Sequence, residues 1–160
     1  MSFDYSLRDV GPSDTDWLWA LNVDAYRDVI IRQFGRWDED VQRDWFDRKW
    51  RQDRPAKIVM LADERVGVVV LERRGGHDWL DEILVGADYR GQGIGTALMK
   101  RFIAEAGERQ RPLRLRVLLA NTDAKRFYES LGFVALETLD HHYLMECDPS
   151  RAAAKTSVLE

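Results

Sequence analysis

The length, composition and charge of the chain limit its organisation and its partners. Its 160 residues are 45% hydrophobic and 32% charged, which is enough for one core and too little for two ordinary domains. The 28 acidic and 24 basic residues give a formal net charge of −4, which does not favour binding to a phosphate backbone. We therefore expect a single domain over residues 1–148 with no nucleic-acid partner, followed by a polar tail over residues 149–160 that could be disordered.

The cysteine, the histidines and the apolar runs exclude further classes of protein. Cys147 is the only cysteine, so it has no partner for an intramolecular disulfide, and the histidines at 77, 141 and 142 lack metal-ligand spacing with it. The chain begins with no basic and apolar leader, and no stretch approaches the roughly 18 apolar residues of a membrane span. We expect a cytoplasmic protein with no bound metal and no membrane partner.

The first part of the chain predicts a short strand and two helices. Residues 5–10 are typical of a strand, and Ser13 with Asp16 offers a capping box for the first helix. A second helix is expected to start near Asp38 and to end before Pro55. The expected buried face of the first helix is Leu18, Leu21, Ala25 and Val29. The apolar positions of the second recur at four-residue spacing, as Val41, Trp45 and Lys49 and as Phe46 and Trp50.

The middle of the chain predicts a hairpin and then a strand, a glycine-rich loop, a helix and a strand. Residues 57–62 and 66–73 are rich in Ile, Val and Leu and are joined by polar residues, as in a hairpin. Strands over residues 79–85 and 113–119 flank a helix over 93–108, and this unit should have parallel strands with a right-handed connection. One side of the helix is formed by Ile94, Leu98, Phe102 and Ala106.

The last part predicts a short amphipathic helix and two antiparallel strands. The helix ends at Gly132, and residues 133–138 and 142–147 are the strands. Its apolar positions follow helical spacing: Ala124, Phe127, Tyr128 and Leu131. Together these elements predict an α/β (mixed α+β) fold, with a mixed sheet and helices on both of its faces.

The segment from Arg90 to Thr96 lies where a strand meets a helix. Gly91, Gly93 and Gly95 let the main chain approach a bulky diphosphate, and the free N–H groups of the first helical turn favour an anion. No Gly-Lys-Ser/Thr follows, and the glycine spacing is not the dinucleotide fingerprint, so an ordinary ATP or NAD site is disfavoured. Taken alone, the segment is equally typical of a plain loop.

Two longer segments change this balance. Residues 84–95, Leu-Val-Gly-Ala-Asp-Tyr-Arg-Gly-Gln-Gly-Ile-Gly, resemble motif A of the GNAT acetyltransferases, whose core is Arg/Gln-x-x-Gly-x-Gly/Ala. A second family element is similar to Asn121, Ala124, Phe127-Tyr128-Glu129 and Leu131-Gly132-Phe133. The order of predicted elements also resembles this family over nearly the whole chain. The resemblance implies the GNAT acyl-CoA N-acyltransferase fold, with a central, mostly antiparallel sheet of six or seven strands.

The resemblance also implies acetyl-CoA as the cosubstrate. The main chain of Ile83, Leu84 and Val85 would pair with the pantetheine arm, and Asn121 would bind that arm unless it only caps the next helix. The pyrophosphate would lie on the turn formed by Arg90, Gly91, Gln92, Gly93, Ile94, Gly95 and Thr96. For Arg90, an ordinary surface arginine is a fair alternative.

Three groups near this segment are expected to carry the chemistry. By resemblance, Tyr128 lies near the sulfur of acetyl-CoA and acts as general acid, although a tyrosine on such a helix is often a core residue. Asp81 and Glu82 are the candidate general bases. Neighbours on a strand point to opposite faces, so one of the two faces the substrate. By resemblance we favour Glu82 over Asp81 as the base, and a surface ion pair is an equally plausible role for it. The N–H of Val85 would polarise the thioester carbonyl.

The resulting hypothesis is an N-acetyltransferase that joins the acetyl group to a primary amine by direct attack. Asp24, Asp28 and Trp37 in the helical region could bind a small, positively charged amine by ion pairing and cation–π contact. The acids after Trp37 suit a helix N-terminus equally well. The alternatives are an acetyltransferase acting on a protein N-terminus or lysine, and a non-catalytic acyl-CoA-binding module. A homodimer remains an open possibility.

Overall fold

The computed structural model describes residues 3–50 and 54–150. Four α-helices and seven strands are found in these ranges. They are β1 (Tyr5–Asp9), α1 (Thr15–Phe34), α2 (Glu39–Lys49), β2 (Ala56–Leu61), β3 (Glu64–Arg73), β4 (Asp78–Val85), α3 (Ile94–Glu108), β5 (Leu113–Leu118), α4 (Thr122–Ser130), β6 (Val134–Thr138) and β7 (His142–Cys147). Short 3₁₀ turns precede α1 (Pro12–Asp14) and α3 (Ala87–Tyr89).

The strands form one seven-stranded sheet in the order β1-β2-β3-β4-β5-β7-β6. β4 and β5 are parallel, with Asp78 opposite Leu113, as the strand, helix and strand pattern predicted. The hairpin of β2 and β3 is antiparallel, and so are the pairs β1–β2, β5–β7 and β6–β7. The structure therefore confirms the predicted fold class, a mixed but mostly antiparallel sheet combined with helices.

The described chain contains two compact units. The first consists of the residues up to Val70 together with Glu82–Ile94, and the second of Leu71–Asp81 together with the residues from Gly95 onward. In the first unit, α1 and α2 pack on β2, β3 and the end of β4. Its core consists of Leu18, Leu21, Phe46, Ile58, Val68 and Leu84.

The start of α1 differs from the prediction, whereas the start of α2 agrees with it. The predicted capping box of Ser13 and Asp16 is wrong, because a 3₁₀ turn precedes α1 and the Asp14 carboxylate accepts the N–H of Gly11 at 2.8 Å. For α2, the side chain of Asp38 accepts the N–H of Val41 at 3.1 Å, as expected of an N-cap.

One apolar stripe predicted for α2 is not buried. Val41 is 43% exposed and Trp45 is 56% exposed, whereas Phe46 is 3% exposed. Phe46 lies in the core of the first unit with Leu18 and Leu21. Adjacent positions on a helix are about 100° apart, so a single packed face of this short helix covers Phe46 and leaves Trp45 outside.

In the second unit, α3 buries the side that its periodicity predicted. Leu98, Phe102 and Ala106 are almost fully buried, and β5 alternates buried side chains at Leu113 and Leu115. At the end of α4, Gly132 has a φ of 101°, and its N–H reaches the Glu129 carbonyl at 3.1 Å. The tail boundary at residue 149 stays a prediction, because residues 151–160 lie outside the described part of the chain.

Asp14 ties the entrance of α1 to two strands. Its fully buried carboxylate accepts two hydrogen bonds of 2.8 Å from Arg8 of β1, and Arg65 of β3 lies 3.2 Å away. The hydrogen bond from Arg8 lowers the pKa of Asp14 well below its usual range. The Gly11 N–H and Arg65 act in the same direction, and burial opposes them.

We expect Asp14→Asn to lower the free energy of unfolding by about 2 kcal/mol at pH 7, because two arginines lose a buried anionic partner. The folded-state pKa of Asp14 is depressed. Its contribution to the free energy of unfolding is therefore fully present when the pH is above the ordinary pKa of the unfolded chain, and it is lost as the pH falls below about 4. Urea unfolding at pH 7 and pH 3 should show the gap between wild type and variant narrowing at the lower pH. Asp9→Asn removes only an exposed partner of Lys57 and should hardly move the midpoint. A gap of equal size at both pH values would contradict the prediction.

Candidate active site

The glycine-rich turn has a backbone that suits an anion-binding loop. β4 ends at Val85 and α3 begins at Ile94. Between them, Gly91 has a φ of 74° and Gly93 a φ of 88°, which are conformations that glycine adopts at little cost. Among residues 3–50 and 54–150, no atom beyond the two adjacent residues lies within 4 Å of a Cβ placed on Gly91, and the Phe3 ring lies 3.3 Å from a Cβ placed on Gly93. The turn therefore leads open main chain into a helix N-terminus, where a pyrophosphate fits.

The end of β4 lies unusually close to the main chain of β3. A Cβ at Gly67 would be 2.4 Å from the carbonyl oxygen of Leu84, so only glycine fits at that position. The N–H of Gly86 bonds the Val66 carbonyl at 2.8 Å. Leu84 points into the core, and its neighbours Ile83 and Val85 are half-buried.

Arg90 is paired with another residue predicted for the site. Its Nη2 lies 2.8 Å from Asp24 Oδ2, and its Nε donates to the Val85 carbonyl at 2.9 Å. Both side chains of the ion pair are about half exposed. Arg90, predicted to bind the cofactor, thus forms an ion pair with Asp24, predicted to bind the substrate. The negative charge of Asp24 is therefore already compensated by Arg90.

Glu82 is the buried acid of β4. It is 5% exposed, and its two carboxylate oxygens have different partners. The hydroxyl of Tyr26 in α1 donates to Oε1 at 2.5 Å, and the ammonium of Lys49 at the end of α2 pairs with Oε2. All three residues belong to the first unit, so one carboxylate, one phenol and one ammonium are held together there.

Asp81 lies on the other face of β4, in the part of the strand that belongs to the second unit. It is half-buried, and the indole N–H of Trp79 donates to Oδ1 at 3.3 Å. The alternation expected of a strand therefore separates the two candidate bases. Of the two candidate bases, Glu82 is the one whose carboxylate contacts Tyr26 and Lys49.

The second unit contains the two site residues predicted on and beside α4. Asn121 is the N-cap of this helix, and its Oδ1 accepts the N–H of Ala124 at 3.3 Å, as its structural alternative predicted. Tyr128 is half-buried, and its ring lies 5.5 Å from Phe127 and 5.7 Å from Phe133 between centroids. The packing fixes the ring of Tyr128 from two sides.

The other acids and aromatics predicted for the acceptor have more ordinary surroundings. Asp28 is an exposed residue of α1. The indole of Trp37 donates to Glu39 at 2.7 Å and lies 6.4 Å from the Trp19 ring, and Asp38 caps α2. These contacts of Trp37 and Asp38 are therefore with residues of α1 and α2.

A cavity of about 250 Å³ opens in the first unit beside the segment that follows β4. Its walls combine carboxylates with aromatic rings. They include Trp17, Asp24, Asp88 and Tyr89. The hydroxyl of Tyr89 pairs with Glu64, which raises the pKa of that phenol, and Arg65 at the wall is held by Asp14.

From the sequence, no functional role was assigned to Tyr26 or Lys49. Tyr26 lies between Asp24 and Asp28 in the first helix and belongs to no motif. Lys49 follows Val41 and Trp45 at four-residue spacing, and a lysine among apolar positions was the available signal. A cation placed there requires an anionic partner, which Glu82 provides.

A family model described as the acetyltransferase (GNAT) family matches residues 18–133. An uncharacterized N-acetyltransferase of Methanocaldococcus jannaschii is 31% identical over 149 residues, which cover 84% of this chain and 63% of the relative. N-alpha-acetyltransferase 30 of Xenopus laevis is 32% identical over 103 residues, covering 59% of this chain and 37% of the relative. The chain thus spans less than two thirds of the length of both curated relatives.

Two solved structures show the same fold. The PaiA N-acetyltransferase of Thermoplasma acidophilum, in complex with coenzyme A, has a TM-score of 0.72 and 17% identity, covering 92% of this chain and 99% of that one. Naa50 of Arabidopsis thaliana, in complex with a bisubstrate analogue, has a TM-score of 0.58 and 22% identity, with coverage of 89% and 97%.

The fold and these matches define a protein with the GNAT acyl-CoA N-acyltransferase fold. The chain belongs to the acetyltransferase (GNAT) family. This confirms the family predicted from the two motifs. Within residues 3–50 and 54–150, no helix has the length and apolar character needed to span a membrane, and no group of acidic, histidine or cysteine side chains could hold a metal ion.

Proposed function

We propose that this protein transfers the acetyl group of acetyl-CoA to the primary amine of a small molecule, by direct attack and with Glu82 as general base. The observation that carries the proposal is the buried carboxylate of Glu82, in the strand that leads directly into the glycine turn. Tyr26 and Lys49 fix both of its oxygens. A base in this position can take a proton from the attacking amine, directly or through a water molecule.

Acetyl-CoA supplies an activated thioester when it is bound. The residues that would hold it are the turn from Arg90 to Thr96, the main chain of residues 83–85, and Asn121. The fit rests on the positive φ angles of Gly91 and Gly93 and on the helix N-terminus that follows them. Arg90 can join this set only by sharing its guanidinium with Asp24 or by leaving it.

The remaining steps are assigned to groups of this chain. The N–H of Val85 would polarise the acetyl carbonyl while the amine nitrogen forms the new C–N bond and the C–S bond breaks. Glu82 takes the proton that the amine loses, and the Tyr128 hydroxyl donates a proton to the departing sulfur. The sum is an amide and a free thiol, with no oxidant or reductant required.

The cavity beside the turn supports a small amine as the acceptor. Asp88 is an exposed acid at its wall and Tyr89 provides an aromatic ring there, whereas the guanidinium of Arg65 already lies over the Trp17 ring, 5.1 Å from its centroid. Asp24 also lines it but is paired with Arg90. A protonated amine is attracted by such a wall and must lose its proton before it attacks.

The α-amine of a polypeptide is the second candidate acceptor. Xenopus N-alpha-acetyltransferase 30 is the relative that favours it, and the Arabidopsis structure was solved with the bisubstrate analogue CoA-Ac-MVNAL. The same base and the same glycine turn would serve both acceptors. The two candidates differ in whether the acceptor needs a free charge or an extended chain beyond its amine.

A thiol-release assay with acetyl-CoA separates these candidates. We expect higher kcat/KM for diamines than for neutral-tailed arylalkylamines or short peptides, and about a fivefold loss with diamines for Asp88→Asn, the scale of an exposed ion pair. Asp28→Asn tests the acid that the sequence favoured, and Asp123→Asn on α4 is the control for lost surface charge. Faster turnover of peptides would favour the α-amine candidate, and no turnover of any amine would contradict the proposed function.

A further inference from the structure

The cation beside Glu82 is the feature that the proposed chemistry leaves unexplained. The side chain of Glu82 is 4% exposed and that of Lys49 is 30% exposed, so the lysine lies between the buried acid and the surface. The contact joins β4 to the last residue of α2. A pair with one buried member costs desolvation, and it is therefore weak evidence for a stabilising role alone.

Aromatic and main-chain contacts hold Lys49 in this position. Its ammonium lies 5.6 Å from the Tyr26 ring and 6.0 Å from the Trp50 ring. The guanidinium of Arg54 also lies over the Trp50 ring, 5.9 Å from its centroid, and it donates a hydrogen bond to the Lys49 carbonyl. Helix C-termini also favour a cation. The ammonium is thus fixed from several sides and directed at one oxygen of Glu82.

Lys49 is the charged partner of the Glu82 carboxylate. The contacts at its oxygens come from two elements, the neutral hydroxyl of Tyr26 from α1 and the ammonium of Lys49 from α2. Burial favours the uncharged form of a carboxyl group, whereas an adjacent positive charge favours the carboxylate. Tyr26 donates a hydrogen bond but no charge, so Lys49 is the cation of this pair.

We propose that Lys49 is a positioning residue, which holds the Glu82 carboxylate oriented so that it can accept a proton from the acceptor amine. This inference rests on the proposed function. Without the ammonium, Oε2 of Glu82 loses the partner that fixes its direction. Lys49 therefore acts on the reaction through Glu82, although it need not touch either substrate.

The test is single-turnover kinetics with the best acceptor from the amine panel, together with the Kd of acetyl-CoA. For Lys49→Gln we expect the rate of the chemical step to fall about tenfold while the Kd of acetyl-CoA stays within about twofold of wild type. Lys49→Arg restores the charge and should recover the wild-type rate. Lys57→Gln, at an exposed pair with Asp9, removes the same charge elsewhere in the first unit and should also keep the wild-type rate.

Thermal unfolding checks that each variant is folded, and Lys49→Met is the second neutral variant if Lys49→Gln does not fold. A rate unchanged from wild type, a loss that Lys49→Arg does not recover, or the same loss in Lys57→Gln would overturn the role of Lys49. No turnover by the wild type would instead overturn the proposed function, and the inference with it.

Discussion

Replacement of Gly93 by aspartate is expected to weaken coenzyme A binding by at least about 100-fold, a loss of about 2.7 kcal/mol. Gly93 has a φ of 88° immediately before α3, and the Phe3 ring lies 3.3 Å from its Cβ position. A carboxylate there would occupy space at the helix N-terminus and would repel the pyrophosphate. Isothermal titration calorimetry with coenzyme A measures the loss.

The chain offers a matched control for this change. Gly76 has the same φ of 88°, and in the described part of the chain no atom beyond the adjacent residues lies within 4 Å of its Cβ position. Gly76→Asp therefore introduces the same backbone strain and the same charge away from the proposed site, and its affinity should match that of wild type. Gly93→Ala separates crowding from charge and should fall between the two. If Gly93→Asp is folded and binds coenzyme A as tightly as Gly76→Asp, the pyrophosphate site is elsewhere.

For Tyr128→Phe, we expect kcat to fall about 100-fold while the affinity for acetyl-CoA stays within about twofold of wild type. Phenylalanine keeps the ring contacts with Phe127 and Phe133, whose centroids lie 5.5 and 5.7 Å away. Only the hydroxyl is lost. A proton donor used mainly in the transition state lowers kcat and kcat/KM together.

Single-turnover kinetics are the appropriate measurement, because slow product release would hide an effect on chemistry. Tyr5→Phe removes a phenol hydroxyl from β1 and serves as the control. A Tyr128→Phe variant with the single-turnover rate of wild type would return Tyr128 to a packing role. A rise in the Kd of acetyl-CoA with unchanged chemistry would assign its hydroxyl to binding.

Local patterns were sufficient to predict most of the elements. The face of α3 followed from four-residue spacing, and its predicted members are buried. The strand, glycine turn and helix around Gly91 and Gly93 was recognisable because the required conformations belong to single residues. The capping box at Ser13 failed because a 3₁₀ turn precedes α1, and the Asp14 carboxylate accepts the Gly11 N–H at that turn and makes no capping hydrogen bond to α1. Tertiary contacts with Arg8 and Arg65 hold Asp14 in that place.

The site could be predicted only in part. Side chains alternate between the two faces of a strand, so the sequence predicted that only one of Asp81 and Glu82 would point inward, to the substrate side of the sheet. The groups around the inward one could not be predicted, because four-residue spacing placed Lys49 with Val41 and Trp45 and indicated no partner on another element. Val41 and Trp45 are exposed, whereas Lys49 pairs with Glu82, a buried acid of β4.

The sequence by itself determined the order of the elements, the glycine turn and the family, because helical periods, strand alternation and glycine conformations depend on residues close together in the chain. Only the tertiary structure decided the partners of Glu82 and Arg90. Glu82 meets Tyr26 and Lys49 across separations of 56 and 33 positions, and Arg90 meets Asp24 across 66. No local period links residues so far apart. Their contacts arise from the packing of α1 and α2 on the end of β4, which fixes where each charge lies.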